Sequence, residues 1–118
     1  MTNVKQVKGL TIQTPTATEN VAIFFTTQAI TIEAVEGVMI GASQSVTLEL
    51  NYGASRATAD GTIVASNVFD SGDAGYQTTG FTFTLNTTSI PANSYIWLTT
   101  SAVSGTINDL NITITYRQ

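Results

Sequence analysis

No cysteine and no histidine occur in the 118 residues. The first absence removes disulfides and thiolate metal sites and permits synthesis in a reducing compartment. The second removes the imidazole on which most nucleophilic triads, and most zinc and iron centres, depend. Charge is scarce as well: Asp, Glu, Lys and Arg make up 10% of the chain, against roughly 25% in ordinary soluble domains. The four cations, Lys5, Lys8, Arg56 and Arg117, are scattered, and the net charge is -4. Neutralising phosphates takes clustered Lys and Arg, so no nucleic-acid partner is expected. No apolar run approaches the ~18 residues of a membrane span, and residues 1–5 lack the apolar core of a secretion signal, so neither a membrane nor an export route is expected.

Helical periodicity is missing too, since no window repeats apolar residues at i, i+3, i+4 and i+7 for more than a turn. What fills the chain instead is threonine, twenty-two of them, together with β-branched and aromatic runs. That composition suits strands whose polarity comes from hydroxyls and amides. Residues 110–116 alternate strictly, with Leu110, Ile112, Ile114 and Tyr116 on one face and Asn111, Thr113 and Thr115 on the other. Residues 95–98 (YIWL) form a continuous apolar run, the mark of a strand covered on both faces, and this places Trp97 in the core. Pro91 fixes the approach to it, and Ser104-Gly105 and Asn108-Asp109 read as the turn between the two.

Further strands are expected at residues 7–12, 21–27, 30–35, 45–52, 62–69 and 80–85, with Gly37 and Gly41 at turns or bulges and Asp60-Gly61 in a hairpin turn. Eight strands at this spacing predict an all-β fold, a two-sheet antiparallel sandwich of jelly-roll type, with a seven-stranded immunoglobulin-like sandwich as the competitor. A chain of this length makes one core without staples. Residues 1–20 are expected to be an N-terminal arm with a short strand, and residues 21–118 the sandwich domain. The arm holds Lys5 and Lys8, and removing residues 1–15 is expected to leave the melting temperature nearly unchanged.

The search for chemistry returns little. Glu33, Glu36 and Glu49 lie on or near neighbouring strands and could in principle supply a glycosidase pair, but solvent-facing strand positions explain them. Asp70-Ser71-Gly72-Asp73 has two carboxylates around a glycine yet falls short of a calcium ligand set. No catalytic residue, metal or cofactor is therefore expected. Candidate partner contacts are Lys5, Lys8 and Tyr76, the last in the longest loop, residues 70–80, where it could stack on a sugar, as could Trp97 or Tyr95 if either faced outward.

The run Ile90-Pro91-Ala92-Asn93-Ser94-Tyr95-Ile96-Trp97-Leu98, then Gly105-Thr106, then Leu110-Asn111-Ile112-Thr113-Ile114-Thr115-Tyr116, resembles the C-terminal half of small virion structural proteins of tailed bacteriophages. Thr31-Ile32-Glu33-Ala34-Val35 and the strand from Val46 to Gly53 are similar to their upstream strands, so the resemblance spans residues 30–116. It implies a non-enzymatic virion component: a capsid decoration (cement) protein, a head-fibre piece or a tail accessory protein, of which the first, on the head surface and made in the host cytoplasm, is the leading expectation. Its partners would be the major capsid protein and two further copies in a homotrimer, with no small-molecule ligand. A carbohydrate- or receptor-binding module of a tail or surface fibre is the alternative.

Overall fold

A computed structural model describes residues 4–118. Every regular element is a strand: β1 (Lys5–Gln13), β2 (Asn20–Thr26), β3 (Ile30–Gly53), β4 (Gly61–Asp70), β5 (Phe81–Thr82), β6 (Ser89–Ile90) and β7 (Ser94–Arg117). No helix occurs among the described residues. All pairings are antiparallel, in one seven-stranded sheet whose main path runs β1-β7-β3-β4.

The centre of the fold is the pair β3–β7, each strand 24 residues long, joined from Thr31↔Arg117 to Gly53↔Tyr95. Two expected strands, residues 30–35 and 45–52, are thus halves of β3, and residues 95–98 and 110–116 are halves of β7. The expectation of two separate sheets with about eight strands gives way to one continuous sheet of seven. The turn signals that suggested a break are bulges. Register slips at Glu33 and at Ser43-Gln44 on β3, and at Asn108, Gly105 and Ser101 on β7. Because the extra residues fall on both strands, the slips offset one another and the ladder carries on.

Each slip also re-aims the side chains. Along β3 the buried hydrophobic positions are Ile30 and Ile32, then Val35 and Met39, then Val46, Leu48 and Leu50. A single skipped residue swaps the two faces of a strand, so the bulges keep the apolar set pointing at one core while the backbone bends. On β7 the expected alternation holds, with Leu110, Ile112, Ile114 and Tyr116 all buried.

Each half of the long pair has its own flanking strands. β1 lies on residues 109–117 of β7 and β5 and β6 on residues 30–37 of β3, whereas β2 and β4 flank residues 94–99 of β7 and 45–52 of β3. Rings bridge the halves: Phe24 of β2 stacks on Tyr116 at 5.1 Å, and Phe69 of β4 meets Phe81 at 5.6 Å and Phe83 at 5.2 Å. One cluster, from Ile30 to Tyr116 in sequence, makes the core.

The strand expected at residues 7–12 is present and longer, and it bonds to β7 over nine positions, from Lys5↔Arg117 to Gln13↔Asp109. Leu10 and Ile12 pack against the core from there. The segment is therefore an edge strand of the sheet, and its removal is now expected to cost stability, the opposite of the expectation from sequence.

Candidate functional site

The residues singled out from sequence do not converge. Lys5 and Lys8 lie exposed on β1. Lys5 approaches Glu33 at 3.9 Å, and the same carboxylate accepts a 2.6 Å bond from Arg117 Nε, so the two cations share one anion at the end of the β1-β7-β3 ladder. Glu33 is thereby an ion-pair partner. Glu36 lies opposite Thr82 and Thr113, and Glu49 opposite Thr99 in the other half of β3.

Tyr76 is half-buried. Its ring packs on the core, its carbonyl accepts a 2.7 Å bond from Met39 N–H, and its hydroxyl accepts from Gln77 Nε2 at 3.0 Å. Its backbone anchors the 70–80 loop to β3. In the same loop Asp70 Oδ1 accepts from Gly72 N–H at 2.8 Å and Asp73 Oδ2 from Asp70 N–H at 2.9 Å. Both carboxylates close the turn by capping its backbone. Among the described residues no three acidic groups come together as a metal site would need.

Trp97 is 4% exposed, as its apolar run predicts, but it stands outside the main core. Its neighbours Ile96 and Leu98 belong to that core, so Trp97 occupies the opposite face of β7, across from Ala22 on β2 and Asn51 on β3. Arg56, on the β3–β4 loop, covers it: the guanidinium lies 5.7 Å from the ring centroid and donates to Asn20 Oδ1. Arg56→Ala is expected to cost about 0.5–1 kcal/mol, the value of a partly exposed cation–π contact. It should also shift the emission of the sole tryptophan to the red; unchanged emission would mean that the loop backbone alone shields the ring.

Sequence reasoning missed three features. Phe25 and Tyr95 face each other across β2 and β7 with centroids 4.7 Å apart, and both stay exposed, at 44% and 39%. An outward Tyr95 was allowed for from sequence, but its partner Phe25 was not. Tyr116 donates its hydroxyl to Gln6 Oε1 at 3.0 Å, and burial pushes its ionisation above the ordinary tyrosine range.

The third is Gln44, 1% exposed at the bulge, where neither amide atom has a hydrogen-bond partner among the described residues. Its backbone is in use, because its carbonyl accepts from Ser71 N–H at 3.2 Å. A buried amide left unpaired costs about 1–3 kcal/mol. Gln44→Met, which keeps the shape and drops the polar atoms, is therefore expected to raise the melting temperature by several degrees. A lowered one would show that the amide is bonded inside the core.

No family model matches the chain, and neither does any curated protein. Among solved structures, a chain of the cyanophage Pam1 capsid asymmetric unit is similar, with a TM-score of 0.54 and 14% identity over 98% of this chain and 85% of that one. At that identity the likeness is one of fold, and it extends along nearly the whole molecule.

Proposed function

We propose that this chain is a non-enzymatic structural protein of a phage virion, a decoration (cement) protein that sits as a trimer on the capsid surface, binds the major capsid protein and stabilises the head. The observation that carries the reading is the fold shared, over 98% of the chain, with a chain of a cyanophage capsid. Composition supports it: the imidazoles and thiols of common catalytic centres are missing, and a surface with so few charges suits a protein packed against others. On this reading the bent β3–β7 pair folds over into a two-layered, jelly-roll-like body, whose loops and edges meet the lattice.

The test is co-sedimentation with capsids purified without the protein. Retention on the particles, and a higher temperature for capsid disruption, are expected; a chain that stays in the supernatant at low salt overturns the decoration role. The exposed Phe25–Tyr95 pair favours a second reading, a carbohydrate- or receptor-binding surface, because adjacent accessible rings can stack on a sugar. Glycan binding that disappears in Tyr95→Ala without a change in melting temperature would put that reading first.

A further inference from the structure

Two strands of the sheet keep one side open. Among the described residues the backbone of β1 bonds only to β7, and that of β4 at residues 65–69 only to β3, apart from a long 3.4 Å bond that the Val68 carbonyl accepts from Asn67 Nδ2. They lie at opposite ends of the strand order. Unpaired N–H and C=O groups on such an edge are a template for another strand.

Their charges are opposite. β1 carries Lys5 and Lys8 with no acid, while β4 carries no cation, ends at Asp70 and is followed by Asp73. Lys8 has no carboxylate within ion-pair distance among the described residues. Each edge also exposes one valine, Val7 at 59% and Val68 at 51%. The spacings match: an antiparallel alignment that sets Lys5 opposite Asp70 sets Val7 opposite Val68 in the same step. Side chains two apart share a face of a strand, so both pairs form together.

We infer that β1 of one copy of this chain adds to the open edge of β4 of a second copy, antiparallel, in that register. Like edges repel, since β1 on β1 brings lysine to lysine and β4 on β4 brings its aspartates together, so the lysines that guard β1 against its own kind select the acidic edge. The contact joins unlike surfaces, and copies therefore add head to tail until the rotation closes a ring. This names the surfaces behind the trimeric part of the proposed function.

The experiment reverses one edge at a time, V7D/K8E on β1 and V68K on β4, all at exposed positions. Sedimentation is expected to show assembly for the parent chain, weakening as salt screens the lysines. Each variant alone should lose every species above the monomer, and an equimolar mixture should regain assembly. Melting curves check that both variants are folded. If either is not, the variant V7C/V68C decides: the chain has no other cysteine, so mild oxidation should link copies into multimers that reduction dissolves. A monomeric parent, a V68K variant that assembles like the parent, or a V7C/V68C variant that stays unlinked would each overturn the inference. A chain that assembles this way yet ignores capsids would instead overturn the decoration role alone.

Discussion

Gly41→Ala and Gly105→Ala are each expected to destabilise the protein by roughly 4 kcal/mol or more, among the largest effects a single methyl group can have. A Cβ on Gly41 would overlap the carbonyl oxygen of Thr106, and one on Gly105 the carbonyl of Ser43. Both obstacles are backbone, which no side-chain rotation relieves. Gly105 also sits at φ 71°, in the left-handed region that costs other residues about 1–3 kcal/mol. Ser43, opposite it, is held at φ 50°. The two glycines stand where β3 and β7 bend together, so the methyl would force open the one place at which both long strands change direction. Thermal melts of the two variants test this; melting within a few degrees of the parent would mean that the corner is loose enough to absorb the clash.

Removal of residues 1–13 is the second large effect. The deletion strips nine ladder positions from β7 and takes away Leu10 and Ile12, which cover the edge of the core near Leu110 and Ile112. Two half-buried aliphatic side chains are worth about 1–3 kcal/mol, and the ladder bonds add to this what the ordering of the strand does not cancel. The net loss is expected to be about 3 kcal/mol, out of the 5–15 kcal/mol typical of a whole domain. At roughly 3–6 °C per kcal/mol for a chain of this size, the melting temperature should fall by roughly 10–20 °C. A drop of only a few degrees would show that β1 is held too loosely to contribute.

The all-β class and most strand positions were legible because alternation is a local signal: Leu110 to Tyr116 are buried and half-exposed in turn, as their order predicts. The long strands were not. Gly105 looks the same to a local reading whether the chain reverses there or merely bulges, and only the matching irregularity on β3, some sixty residues earlier, decides for the bulge. Trp97 was legible as buried but not as belonging to the second face, since what covers it is Arg56 from a polar loop. The bond that ties Tyr76 to the Met39 amide was not legible, because the two are distant in sequence. The lysines of β1 could be named from sequence, but their complement could not, because an edge exists only once the strand order is known.

The pairing pattern also dictates when the molecule can take shape. β1, β2 and β3 all find their principal partner in β7, the last strand of the chain, and the closest β3–β7 pair, Gly53↔Tyr95, already spans some forty residues. During synthesis β1 and β2 emerge with no strand to bond to until β7 follows, and β3, which can take up β4, still lacks its longest partner. Loop closure over such separations is slow, on the millisecond-to-second scale of β-rich domains, and the waiting strands present threonine- and valine-rich edges to one another meanwhile. Few charges guard those edges, so the yield of native protein should depend on concentration during refolding more steeply than its final stability would suggest.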